Sequence, residues 1–154
     1  MPNFQTGKPL NFFILNRIDQ MITGFTCSSF DLLHAGHILM LKECKDNCDT
    51  LMVGLQSDPT IDRPEKNKPV QSMFERFLQL DAVKYVDKIF VYDTEDHLLQ
   101  LLRHIRPDIR FIGQDWEHKK FTGKLFSRLH GEIFYNRRYG YSTTDLRQRI
   151  KGAE

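Results

Sequence analysis

Apolar residues follow two rhythms along the chain: short continuous runs, and longer stretches where they recur every three or four positions. The short runs cover residues 22–27, 51–55, 88–92, 109–112 and 132–135, and each predicts a strand. Strands apolar on both faces belong to a sheet covered on both sides. The longer stretches predict helices. The first runs over about 35–47 and the second over 72–83, where Phe74, Phe77, Leu78, Leu80 and Val83 form an apolar face. A third, capped by Asp93 or Thr94, carries Leu98, Leu99, Leu101, Leu102 and Ile105 and stops before Pro107. A fourth covers 121–129. A last one starts at the N-cap Ser142, with Asp145 three positions on as in a capping box, and reaches about residue 151. Strand, helix and strand in alternation predict a doubly wound α/β domain with a five-stranded, mostly parallel sheet over 22–151 and right-handed crossovers. Residues 1–21, with Pro2, Gly7, Pro9 and the apolar 12–15, form an N-terminal extension to it. Residues 57–69, holding Pro59, Pro64 and Pro69, read as a loop.

Composition narrows the picture. The 154 residues suffice for one domain with a sizeable core, and 40% hydrophobic with 27% charged residues is ordinary for a globular chain. A net charge of +2 gives no case for nucleic acid. No apolar run reaches membrane-spanning length. Cys27, Cys44 and Cys48 make no disulfide framework, and Cys44 with Cys48 has no second ligand pair for a metal. These features predict a cytoplasmic protein that engages neither membrane nor nucleic acid.

The candidate chemistry gathers around residues 25–41. The first strand runs into a turn that opens a helix, and His34, Gly36 and His37 occupy the opening. Two histidines three apart share a helix face. The first turn offers unpaired N–H groups and a partial positive charge, and a glycine there allows close approach, which suits a phosphate. Other polar segments follow other strands. A loop with Arg63, Lys66 and Lys68 follows strand two, the turn from Gly113 to Trp116 follows strand four, and Arg137 to Asp145 follows strand five. In a doubly wound sheet all of these lie at the carboxyl edge, where ligands bind.

Residues 29–37, Ser-Phe-Asp-Leu-Leu-His-Ala-Gly-His, resemble the HxGH signature of nucleotidyltransferases with a Rossmann-like fold. Residues 84–87, 113–117 and 137–144 then resemble the glycerol-3-phosphate cytidylyltransferase branch. The resemblance covers residues 22–150. It implies transfer of a cytidylyl group from CTP to a small alcohol phosphate, glycerol 3-phosphate foremost, with release of pyrophosphate, Mg²⁺ accompanying the triphosphate, and a homodimer. It implies that His34 and His37 bind the triphosphate and stabilise charge at the α-phosphate, with Lys66, Lys68 and Arg137 as further cations. Ser28, Ser29, Gly36, Arg76, Asp115, Trp116, Arg138, Ser142 and Thr143 fall on the nucleotide and phosphate side. No protein residue is implied as a nucleophile or as a metal ligand.

The chain departs from that branch in places. Ser28-Ser29 replaces Gly-Thr, Arg138 and Tyr139 replace Thr and Glu, and Lys84 replaces Arg at a position associated with the subunit contact. An added arginine suits a more anionic acceptor. Two alternatives keep the fold: an adenylyltransferase using ATP, as in relatives that make ADP-sugars, and a nucleotide-binding protein without turnover.

Overall fold

The computed structural model describes residues 21–153. Five strands, β1 (Thr23–Ser28), β2 (Thr50–Gln56), β3 (Lys88–Tyr92), β4 (Ile109–Gly113) and β5 (Glu132–Asn136), form one sheet in the order β3-β2-β1-β4-β5. Every neighbouring pair is parallel, so the sheet is parallel throughout rather than mostly so. The helices are α1 (Ala35–Asp46), α2 (Met73–Asp81), α3 (Glu95–Ile105), α4 (Lys124–His130) and α5 (Thr143–Lys151). The strand order reverses direction between β1 and β4. In such sheets the crevice opens there, beyond the carboxyl ends.

The period-two geometry of β2 splits the core. Leu51, Val53 and Leu55 pack on one face with Leu41, Cys44, Leu80 and Phe111. Met52 faces the other way, into a cluster with Phe25, Tyr92, Leu98 and Leu102. Gly54 serves that second face: a Cβ there would sit 2.8 Å from the Phe25 ring and 2.9 Å from Cys27 Cβ. The glycine is therefore a packing requirement.

Local chemistry sets the helix ends. Ser72 caps α2 in a reciprocal box with Glu75, and the Thr94 hydroxyl accepts the His97 N–H. Ser142 accepts the Asp145 N–H at 3.0 Å, but Asp145 turns its carboxylate to Arg149 at 3.3 Å. The shorter aspartate thus forms an ion pair along α5.

Three features differ from the sequence expectation. The helix expected from 121 begins at Lys124, because Gln114–Trp116 fold as a 3₁₀ turn and Gly123 takes a left-handed φ of 78°. The loop after β2 contains a 3₁₀ turn, Pro59–Ile61, capped by Asp58. On α2 Leu80 faces the core, as does Val83 just past its end, whereas Phe74 and Leu78 lie 69% and 51% exposed on the outer side. The extension over 1–21 lies outside the described residues, apart from the exposed Met21. Among the described residues no helix is long and apolar enough to cross a membrane.

Candidate functional site

The last residue of each strand, Ser28, Gln56, Tyr92, Gly113 and Asn136, lines a single cleft of about 670 Å³ at the carboxyl edge. A second chamber of about 460 Å³ adjoins it, lined by His34, Asp115, Arg137, Arg138 and Ser142 among others. Ser28, His37, Met40 and Thr143 line both, so they form the wall that the two chambers share.

His34 is the N-cap of α1, with extended backbone that leaves its ring free to fold over the helix start. Its Nδ1 accepts the Gly36 N–H at 3.0 Å, and its own N–H donates to His37 Nδ1 at 3.3 Å. A nitrogen that accepts a hydrogen bond carries no proton, so each neutral ring is protonated at Nε2. His34 Nε2 then donates to Thr143 Oγ1 at 3.2 Å, and His37 Nε2 is left as a donor at the shared wall. The rings stack with centroids 4.0 Å apart. Burial pushes the His34 pKa down, helped by Arg149. Burial, aided by His34 and opposed by Asp31, pushes His37 down to about 4. Both imidazoles are therefore neutral hydrogen-bond donors near pH 7.

The turn before α1 is strained. Phe30 and Leu32 have φ of 47° and 51°, a left-handed region costly for large side chains. Three anchors hold it. Phe30 is buried in the core. The Leu32 N–H donates to Gln71 Oε1 at 2.8 Å. Asp31, only 4% exposed, accepts the Val70 and Gln71 N–H groups at 2.9 Å each and pairs with Arg147 on α5 at 2.7 Å. Asp31 thereby ties the strained turn, the segment before α2 and the last helix into one frame.

The residues singled out in the sequence separate spatially. Ser28 and Ser29 line the large cleft, as does Lys66, whose Nζ lies 5.8 Å from the centre of the Trp116 ring. Lys68 is exposed and does not line it; its carbonyl accepts from Arg147 at 3.3 Å. Asp115 and Arg138 face each other at 3.5 Å in the smaller chamber, and the Arg137 guanidinium stacks on Tyr139 at 5.0 Å. Ser142 and Thr143 open α5 against the histidines.

Two placements depart from expectation. Arg76 is 2% exposed and donates to the carbonyls of Gln71, Ser29, Gln56 and Ser57. It is neither a ligand at the cleft nor a surface ion pair; it staples the ends of β1 and β2 to α2. At Gly36, a Cβ would lie 2.8 Å from Tyr141 Cβ and 2.9 Å from His34 Cε1. Gly36 lines the smaller chamber, and what excludes a side chain there is Tyr141 and His34.

Asp31, Arg110 and Arg147 were not assigned to the site from sequence, and Arg63 entered only as a cation of the loop after strand two. Arg110 did carry a signal, a charge inside an otherwise apolar strand. Cys44 is buried, its thiol pushed far up by burial and bonded to Asn136; Cys48 is pushed up to about 11. Both are inert thiols.

The donor set fits a cation that arrives on a triphosphate. Asp31 is fully engaged, Asp115 is the carboxylate beside the histidines, and the described residues hold no cluster of three or more metal-ligating side chains. Magnesium commonly binds through substrate phosphates and few carboxylates.

A cytidylyltransferase-like family model matches residues 25–149. The chain belongs to that family. It is 36% identical over 140 residues to the bifunctional protein HldE of Campylobacter jejuni, covering 90% of this chain and 29% of that protein. It is 34% identical over 139 residues to the HldE of Helicobacter pylori, covering 90% of this chain and 30% of that one. The chain thus spans under a third of these curated relatives. Among solved structures, a lipopolysaccharide core biosynthesis protein from Thermoplasma volcanium superposes with a TM-score of 0.63 at 26% identity, covering 80% of this chain and all of that one. A pantoate-beta-alanine ligase from Francisella tularensis shares the fold alone, with a TM-score of 0.56 at 19% identity.

Proposed function

We propose that the protein is a nucleotidyltransferase that moves a nucleoside monophosphate from a triphosphate to a sugar or alcohol phosphate. The observation that carries this reading is the pair of chambers meeting at His37. The smaller chamber takes the nucleotide and the larger the acceptor, which moves Ser29 and Trp116 to the acceptor side from the nucleotide side that the resemblance implied. An oxygen of the acceptor's phosphate attacks the α-phosphorus. The bond from that phosphorus to the bridging oxygen breaks, and pyrophosphate leaves with the electron pair.

His37 Nε2–H and the Ser142 and Thr143 groups at the start of α5 donate to the phosphates and hold the α-phosphate for in-line attack. His34 fixes the His37 tautomer through its backbone N–H and braces Thr143. Mg²⁺, when bound with the triphosphate beside Asp115, neutralises charge on the phosphate oxygens.

ATP is favoured over CTP as the donor. The relatives are HldE proteins and a lipopolysaccharide core biosynthesis protein, which points to sugar chemistry. Members of this fold that activate sugars make ADP-sugars. Arg138 and Tyr139 stand where the glycerol-phosphate branch has Thr and Glu. A homodimer is part of the reading, supported by the outward apolar pair Phe74 and Leu78 on α2.

Pyrophosphate release with ATP and with CTP, against a panel of sugar and alcohol phosphates, tests it. Release with ATP and a sugar phosphate, lost in H37A, is expected. Release only with CTP and glycerol 3-phosphate restores the cytidylyl reading. Nucleotide binding without release across the panel leaves a binding protein.

A further inference from the structure

Among the described residues, every buried side-chain nitrogen or oxygen without a hydrogen-bond partner belongs to an arginine of the larger chamber: Arg63 Nε, Arg147 Nε, and Arg110 Nε and Nη1. Buried donors are nearly always satisfied, so such a cluster marks a place where something else supplies the acceptors. Two of these arginines have carboxylates. Arg63 pairs with Glu95 at 2.9 Å and Arg147 with Asp31 at 2.7 Å. Arg110 is different. It is 3% exposed, the second residue of β4, between β1 and β5 in the sheet, and its contacts are the Cys27 sulfur at 3.3 Å and the Phe25 ring at 5.1 Å. Neither neutralises a full charge, and a buried cation without an anion is costly to a fold.

Around it the chamber is lined by Gln56, Tyr92, Glu95 and Thr122, a set of amide, phenol, carboxylate and hydroxyl groups matched to a polyhydroxylated molecule. These residues lie toward α3 and the loop before α4, while His34 and Ser142 line the other chamber and His37 sits on the shared wall.

We propose that Arg110 is the phosphate anchor of the acceptor. A monophosphate ester bearing several hydroxyls enters the larger chamber, and its phosphate accepts from the Arg110 guanidinium while its hydroxyls meet the polar lining. This rests on the transferase reading and gives it a specificity residue. Arg110 discriminates phosphorylated from unphosphorylated acceptors and takes no part in holding the nucleotide.

Titration calorimetry on the full chain tests it, using glucose 1-phosphate, inorganic phosphate and glucose as probes, each with AMP-PNP present. The wild type is expected to bind glucose 1-phosphate and phosphate and to ignore glucose. R110M should weaken both by at least about tenfold, with R110K between them, as expected for a charge-assisted contact. AMP-PNP affinity should be unchanged in both variants. R110M should melt at or above the wild-type temperature, because it relieves an unpaired charge; a purely structural arginine would lower it. The proposal is overturned if R110M binds glucose 1-phosphate as the wild type does, if it loses AMP-PNP affinity instead, if it fails to fold, or if the wild type binds neither phosphorylated probe. Failure of the transferase reading is separate: neither AMP-PNP nor CTP binds the wild type, and no pyrophosphate is released.

Discussion

Acid should destabilise this protein through one imidazole. His37 titrates near 6.5 in an unfolded chain and about 4 in the folded one. The unfolded state therefore binds the extra proton between those values. The His37 contribution is intact above about pH 6.5 and is lost as the pH falls toward 4. Integrated from about pH 7.5 to about pH 5, the loss is about 2 kcal/mol. Urea titrations at the two pH values, on the wild type and on H37N, isolate it. Asparagine keeps an acceptor for the His34 N–H and has no proton to gain. The acid loss in H37N should be smaller by about 2 kcal/mol. Equal acid losses in the two proteins, or an NMR titration that puts His37 near 6.5, would refute the burial argument. The same linkage reaches the ligand: a triphosphate beside His37 raises its pKa, so nucleotide affinity should strengthen as pH falls from about 7 to 5.

Removing the Asp31 carboxylate in D31A strands Arg147 and two amides, and should cost about 3 kcal/mol or more in the denaturant midpoint. R76M should cost a similar amount, about 3 kcal/mol, since four carbonyls lose a charged donor, while the folded fraction keeps its nucleotide affinity by calorimetry. S142A should cost about 1 kcal/mol through the lost N-cap, seen as faster amide exchange in the first turn of α5.

The sheet was legible because each strand is a compact apolar run, and because crossover handedness leaves few ways to assemble five of them. Loops after parallel strands share the carboxyl edge, so the histidine turn, the lysine loop and the last motif fall on one side of the sheet from their places in the chain alone. What the pattern does not encode is the direction in which a side chain leaves its element. Arg76 reads as a helical surface cation, and only tertiary packing turns it inward onto four carbonyls. The apolar residues of 72–83 do not all share one face: Leu80 lies about 200° round the helix from Leu78, and packing buries Leu80 while Phe74 and Leu78 stay outside. Gly36 reads as a place for close approach, and Tyr141, more than a hundred positions away, is what a Cβ there would strike. The division into two chambers depends on Asp31 holding α5 over the strand ends, a long-range ion pair with no local signature.

The seam between β1 and β4 has a consequence for how the chain is made. Gly24 pairs with Ile109, so β1 and β4 meet only after the long stretch between them has been synthesised. Until then β1, β2 and β3 have β1 as an open edge, where Gly24 and Phe25 lack their partners Ile109 and Arg110. Unpaired edges invite pairing with other chains, and distant pairings close slowly. The ligand cleft lies over that same late seam. A nascent chain therefore passes through a sticky half-sheet stage, and it can recognise no substrate until that stage has ended.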